Sequence, residues 1–408
     1  MNEQRRIPIP DILAQGQYET KPETLQVPRK PHALFIGIPR DTILQENRVA
    51  LTPASVATLV AKGHRVIIES CAGVRAHFFD REYSEAGAEI VFSKQEVYKA
   101  NMLIKVAPPT LEEIEFMHAD QMIISPLHIP IINEEYINKL LQKRVISLAM
   151  EYIQDDSGSF PVVRIMSEIA GLSAMLTAAE LLTNVNGGRG ILLGGISGVP
   201  PTRVVILGGG VVAEYATRTA LGLGAEVRIF DNNVYKLMRI QRQVGRQLYT
   251  STINLALLEQ ELMSADVVIG AIHSSSGRTP MIVTEDMVTK MREGSVIIDV
   301  SIDQGGCFET SEVTNHEEPT FVKHGVTHYC VPNISSRVSR TASVAISNIM
   351  TPTLLRAENA ISFEQLLYHD FGLRHGVYTY KGCLTNDYLG QRYQIKTTNL
   401  DWLLTSEL

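Results

Sequence analysis

The run Val204-Val205-Ile206-Leu207-Gly208-Gly209-Gly210-Val211-Val212-Ala213 limits what this chain can fold into more than any other stretch. Four apolar residues lead directly into G-x-G-x-x-A, and a helical pattern follows. That succession is a strand, a tight turn and a helix. Gly208 permits the turn, Gly210 lets the backbone approach a pyrophosphate, and Ala213 lets the helix pack close to the sheet. The helix start, at Val211 and Val212, offers free N–H groups and a partial positive charge to phosphates. The next strand ends at Asp231, roughly twenty residues past the first glycine. A carboxylate there accepts hydrogen bonds from both ribose hydroxyls and repels a 2′-phosphate, which favours NAD over NADP. A glycine turn beside a surface acid is the plainer alternative. Strand, helix and acid all in register point instead to a dinucleotide.

The rest of the chain repeats this grammar. Its 408 residues are enough for two or three domains. Leu34–Ile38, His64–Ser70, Glu89–Val91, Met102–Val106, Met122–Ser125 and Val145–Ala149 read as strands. Between them Pro53–Lys62, Lys94–Ala100 and Asn133–Lys143 read as helices, the first with Thr52 as its N-cap. A second set begins at Arg203, with further strands at Glu226–Phe230, Val267–Ala271, Ser295–Val300 and Thr327–Val331. Strands alternating with helices predict a mainly parallel sheet covered on both faces, hence an α/β fold. Two long helices, Met166–Thr183 and Ser339–Arg356, flank the second set and are suited to bridging two domains. The last fifty residues are mixed and less readable. Residues 1–32 are polar and end in Val27-Pro28-Arg29-Lys30-Pro31, and read as an extension outside the first core.

Composition excludes several classes. A net charge of −7 with mixed signs along the chain gives no footprint for nucleic acid or an acidic membrane surface. No apolar segment follows Arg5 and Arg6, so no secretory signal is read. The most apolar stretch, Gly190–Val212, is broken by Arg203 and is rich in Gly and Pro, so no membrane insertion is expected. Cys71, Cys307, Cys330 and Cys383 include no C-x-x-C pair. Neither a disulfide framework nor a metal site is expected, and most of the four read as buried thiols of a cytoplasmic protein.

Four further residues sit where chemistry is done. Arg48 follows a strand C-terminus, where ligand clefts open in α/β sheets; it can clamp a carboxylate or make a surface ion pair. His128 lies at the end of Met122–Ser125 in an apolar setting, as a core histidine or a proton-transfer group. Asp303, past Ser295–Val300, faces the cofactor cleft or forms a turn. Ser167 can cap the helix starting near Met166, bind a phosphate, or both.

Together these residues resemble the alanine dehydrogenases and the related nucleotide-binding α subunit of proton-translocating transhydrogenase. The matching runs are Glu46–Pro53, Met166–Gly171, Asn186–Gly190, Gly194–Pro200, Asp303–Cys307 and Tyr329–Asn333, and the likeness spans roughly residues 33–385. The resemblance implies two Rossmann-like doubly wound domains. The NAD domain (166–339) would be inserted in a discontinuous substrate domain (33–165 and 340–408). It implies that Arg48 binds the carboxylate of an amino or keto acid, that His128 is the general acid/base, and that Asp303 acts beside it. Ser167, Gly208, Gly210, Val211, Val212, Asp231, Lys236 and Asn333 would hold NAD. It further implies oxidative deamination of L-alanine to pyruvate and ammonia, in a homo-oligomer that is a dimer or a hexamer of dimers.

One departure qualifies the substrate. Alanine dehydrogenases carry a Lys-x-Lys-Glu-Pro run whose second lysine touches the substrate carbonyl. This chain has Lys105-Val106-Ala107-Pro108-Pro109, so Ala107 stands in that place. Either another cation substitutes, with Arg337 and Arg340 as sources, or the substrate is a different amino or imino acid. The transhydrogenase subunit also lacks the lysine, but it lacks the histidine too, so a nucleotide-binding subunit without dehydrogenase activity is the third reading.

Overall fold

The structure, a computed structural model, describes residues 33–43, 45–128, 132–274, 277–356 and 363–405. The extension read at residues 1–32 lies outside them.

The first sheet starts with six parallel strands: β1 (Phe35–Ile38), β2 (Arg65–Glu69), β3 (Glu89–Val91), β4 (Met102–Ile104), β5 (Met122–Ser125) and β6 (Ile146–Ala149). The second comprises β7 (Arg203–Leu207), β8 (Glu226–Phe230), β9 (Tyr249–Ser251), β10 (Val267–Gly270), β11 (Val296–Asp299), β12 (Thr320–Lys323) and β13 (Val326–Tyr329). The chain then returns to the first sheet with β14 (Val377–Tyr380) and β15 (Cys383–Leu384). The spatial orders are β15-β14-β6-β5-β4-β1-β2-β3 and β12-β13-β11-β10-β7-β8-β9. Each sheet therefore reverses strand order once, between β1 and β4 and between β7 and β10. Those reversals leave a crevice outside the strand C-termini, where ligands of doubly wound sheets bind. The antiparallel additions, β14 on β6 and β12 on β13, sit at one end of each sheet.

The strands form because both faces are covered. Val204, Val205, Ile206 and Leu207 are fully buried; burial of each such side chain contributes about 1.5–3 kcal/mol. Even-numbered residues pack under one helix layer and odd-numbered ones under the other.

The first long helix spans Pro161–Leu181, five residues earlier than the sequence reading, with Pro161 in its first turn. Proline there loses no hydrogen bond and its φ suits the helix. Ser167 is thus inside the helix and does not cap it. By length and composition this helix could cross a membrane, yet Ala170, Ala174, Met175 and Ala178 sit in the second core. It touches the helix Val211–Gly222 so closely that a Cβ on Gly171 would lie 2.4 Å from the Val212 carbonyl oxygen. The second long helix is Ser339–Arg356, as read. Cys307 and Cys330 are buried, but Cys71 is exposed and Cys383 partly so, which corrects the expectation of mostly buried thiols.

Candidate active site

Strand C-termini of both sheets deliver the site. The loop after β1 carries Glu46 and Arg48, β4 is followed by Val106 and Pro108, β5 by His128 and β6 by Glu151. From the second sheet, His273 and Arg278 follow β10, Asp303 follows β11 and Asn333 follows β13. All of these line one cleft of about 700 Å³, together with Tyr388 and Arg392 near the C-terminus. That volume lies in the range of small-molecule sites.

Arg48 is held rigidly. Backbone N–H groups of its loop donate to serines near and on the second long helix: Asn47 to Ser336 Oγ, Val49 to Ser343 Oγ and Thr52 to Ser347 Oγ, each at 2.9 Å. Its guanidinium donates from Nε to Glu46 Oε1 (2.7 Å) and from Nη2 to Glu46 Oε2 (2.6 Å). Among the described residues Nη1 has only the Met166 sulfur, at 3.3 Å. Burial alone would favour the neutral forms, but each charge offsets the other's desolvation, so the Glu46 pKa is lowered and the Arg48 pKa raised. Asn333 Nδ2 adds a third donor to Glu46 at 2.7 Å.

His128 sits in the left-handed region, at φ 47. Its Nδ1 is buried without a hydrogen-bond partner among the described residues. Glu151 fixes the loop: its Oε1 accepts from the Leu127 N–H at 2.8 Å, while Oε2 is buried without a partner among the described residues. Burial pushes the Glu151 carboxyl up to about 7, against the backbone N–H groups of Leu127 and His128.

Asp303 closes the 3₁₀ turn Val300–Gln304. It is exposed and lines the cleft. Desolvation by the surrounding protein raises its pKa, while the Asn333 N–H, His128 and Arg48 pull it down. The turn is anchored by Asp299, which accepts from the N–H groups of Ser301 and Cys307 (each 3.0 Å) and from Ser311 Oγ (2.7 Å). Burial nevertheless raises Asp299 to about 6.

The glycine turn stands beside this cleft. Gly208 has φ 112, and a Cβ there would lie 2.3 Å from the Ala271 carbonyl oxygen, so only glycine fits. Gly210 caps the helix Val211–Gly222, and a Cβ on it would meet nothing within 4 Å, so the helix start can be approached freely. Asp231 accepts from the Gly209 N–H through Oδ2 (2.6 Å) and from the Asn233 N–H through Oδ1 (2.7 Å). Each oxygen keeps a lone pair for a ribose hydroxyl. Lys236 Nζ lies 3.9 Å from Asp231 Oδ2. These residues fit a dinucleotide. Ser167 lies one helical turn before Gly171, and hence near the same helix start.

Some expectations are corrected. Arg337 donates to Thr177 and pairs with Glu180, and Arg340 donates to the carbonyls of Ala76 and His77. Neither lines the cleft, so neither stands in for a lysine at Ala107. Lys105 is buried between Asp41 (2.9 Å) and Glu113 (3.4 Å), a structural ion pair away from the cleft wall. Among the described residues, the arginines and lysines that do line the cleft are Arg48, Arg278 and Arg392. Sequence reasoning missed Glu46, Glu151, Arg278 and Arg392. Glu151 could have been found, since it follows a strand C-terminus just as Arg48 and Asp303 do. Arg392 lies on the helix Asp387–Tyr393, in the stretch without a legible pattern.

The chain is similar to known proteins along most of its length. The family model "Alanine dehydrogenase/PNT, N-terminal domain" matches residues 37–170, and "Alanine dehydrogenase/PNT, C-terminal domain" matches 174–387. Alanine dehydrogenase 2 of Staphylococcus aureus (strain USA300) is 40% identical over 368 residues, covering 90% of this chain and 98% of that protein. A solved L-alanine dehydrogenase superposes with a TM-score of 0.82 at 38% identity, covering 88% of this chain and 99% of the other. A transhydrogenase from Sinorhizobium meliloti shares the fold, with a TM-score of 0.73 at 24% identity over 86% of this chain and 98% of that one. With both family models in place and a relative this similar along nearly its whole length, the chain belongs to the alanine dehydrogenase/PNT family.

Proposed function

We propose that this protein is an NAD-dependent L-alanine dehydrogenase, interconverting L-alanine with pyruvate and ammonia. The observation that carries this reading is the gathering of Arg48, His128 and Asp303 on one cleft beside a glycine turn that fits a dinucleotide. The named relatives support it.

In this reading Arg48 seats the substrate carboxylate through Nη1, the edge that Glu46 leaves free. NAD supplies the acceptor for the hydrogen and electron pair that leave the substrate α-carbon. His128 takes the amine proton and releases it, then takes a proton from the water that adds to the imine and hands that proton to the departing ammonia. Asp303 orients that exchange and, through Asn333, links it to the carboxylate seat. Asp231 binds the ribose, and Ser167, Lys236, Asn333 and the Gly208–Val212 turn hold the remainder of the dinucleotide. The substrate domain is 33–165 with 340–408, and the dinucleotide domain is 166–339. The enzyme is cytoplasmic and a homo-oligomer; Leu172 and Leu176, exposed on the first long helix, support self-association.

The test is NADH formation by the purified chain from NAD and L-alanine, and its reversal with pyruvate and ammonium. Turnover in both directions is expected. A protein that binds NADH yet turns over neither would instead be the nucleotide-binding subunit.

A further inference from the structure

The mechanism above gives no task to two cations of the cleft, Arg278 and Arg392. Arg278 lies on the loop after β10, with its side chain over Gly305, where a Cβ would come 3.3 Å from Nε. Arg392 lies on the helix Asp387–Tyr393 and donates from Nη1 to the Tyr388 hydroxyl at 3.3 Å. Both are exposed to the cleft, and neither has a carboxylate within salt-bridge distance among the described residues. The two come from different sheets. The Tyr388 hydroxyl that accepts from Arg392 lies against Gly277, the neighbour of Arg278: a Cβ on Gly277 would be 2.6 Å from it.

The acids of the cleft do not answer these charges. Glu46 is saturated by Arg48 and Asn333. Asp303 accepts from Asn333. Glu151 faces Leu127 and His128, and burial holds its proton toward neutral pH. His273, the other titratable group on the β10 loop, is driven toward its neutral form by burial and by Lys236. The glycine turn is not among the residues that line this cleft. A methyl side chain offers them nothing, whereas a carboxylate offers each a charge-assisted hydrogen bond.

We infer that the cleft accepts dicarboxylic 2-amino acids of aspartate or glutamate size, with the α-carboxylate on Arg48 and the side-chain carboxylate between Arg278 and Arg392. The inference rests on the dehydrogenase reading above and extends its substrate class. The chemistry is unchanged and balances. The Cα–H bond breaks with its electron pair passing to NAD, and the amine gives up a proton. Water adds to the resulting C=N bond and ammonia leaves. The products are a 2-oxo dicarboxylate, ammonium, NADH and a proton. Because the distal seat is built from both sheets, a dicarboxylate also ties the two walls of the cleft together.

The experiment compares kcat/KM of the full chain for L-alanine, L-aspartate and L-glutamate with NAD. In reverse it compares pyruvate, oxaloacetate and 2-oxoglutarate with NADH and ammonium. At least one dicarboxylate is expected to be used within about tenfold of its monocarboxylate counterpart, and Arg278→Gln and Arg392→Gln should each lower the dicarboxylate-to-monocarboxylate ratio at least about tenfold, mainly through KM, the effect of losing one charge-assisted bond. Turnover of alanine with no turnover of either dicarboxylate overturns the inference and leaves the dehydrogenase reading standing. So does a ratio unmoved by both substitutions. Absence of turnover with every substrate, by a protein that binds NADH, overturns the dehydrogenase reading and the inference with it.

Discussion

The backbone N–H of Asn333 donates to Oδ1 of Asp303 over 3.0 Å, with Asn333 in the left-handed region at φ 57, ψ 45. The same residue's Nδ2 reaches Glu46 at 2.7 Å. One side chain and one peptide thus join the proton-handling turn after β11 to the carboxylate seat after β1. Asn333→Ala removes the amide and places a Cβ residue less tolerant of this conformation there, at about 1–2 kcal/mol. Asn333→Gly removes the amide alone. Both variants should raise the KM for the amino acid, and only the alanine variant should also lose that much stability in urea. A glycine variant with unchanged KM would mean that the Glu46 contact does not set the position of Arg48.

The Glu46–Arg48 pair is nearly out of reach of solvent, with side chains 1% and 9% exposed. Breaking such a pair from one side leaves an uncompensated charge, which costs on the order of 3–5 kcal/mol. Glu46→Gln should therefore lower the unfolding free energy by about that much. Glu46→Gln combined with Arg48→Met should recover part of the stability and none of the substrate binding. Denaturant titration with substrate kinetics on both variants distinguishes the pair's structural contribution from its role in binding.

The reaction and the cofactor can be separated by two substitutions. His128→Ala should lower kcat by about 10²–10⁴, the usual range for a lost general acid/base, while NADH binding persists. Asp231→Ala should weaken NADH by about tenfold through lost ribose hydrogen bonds and leave the melting temperature near its original value. NADH fluorescence titration and initial rates read the two effects. Near-normal turnover in the first variant would make His128 an ordinary structural residue.

Glu151 and Asp299 give the protein a definite pH signature. Burial raises their carboxyls from 4.5 to about 7 and from 3.8 to about 6. The folded state therefore holds these protons more tightly than the unfolded chain does. Their stabilisation is complete below pH about 4 and is lost as pH rises through 6 and 7. For Glu151 the shift bounds the loss at about 3 kcal/mol. Glu46 and Glu113, whose pKa values are lowered, act in the opposite direction, so the diagnostic quantity is a difference between proteins. Glu151→Gln should become more stable relative to the parent as pH is raised from 5 to 8, by urea denaturation. A constant difference across that range would place the ordinary carboxylate at position 151.

Local sequence determined the parts of this protein whose physics is local. The strand, turn and helix around Gly208 were legible because φ 112 and the 2.3 Å approach to Ala271 admit only glycine. The acid at Asp231 was legible because strand and spacing fix where it lands. Arg48, His128 and Asp303 could be singled out for a single reason, their position after strand C-termini, and each kept an ordinary alternative. Only the tertiary structure brought them to one cleft, because loops that follow strands of both sheets line the same space. It also decided which charges are spent and which are free. Lys105 and Arg337 look as available in the sequence as Arg278 and Arg392, yet the first two are paired with Glu113 and Glu180. Those partners are brought in by other elements, as is the rejoining of β14 and β15 to the first sheet from a segment too short for periodicity to show. A side chain's charge is written in the sequence. What compensates that charge depends on distances across the fold, which the local sequence does not contain.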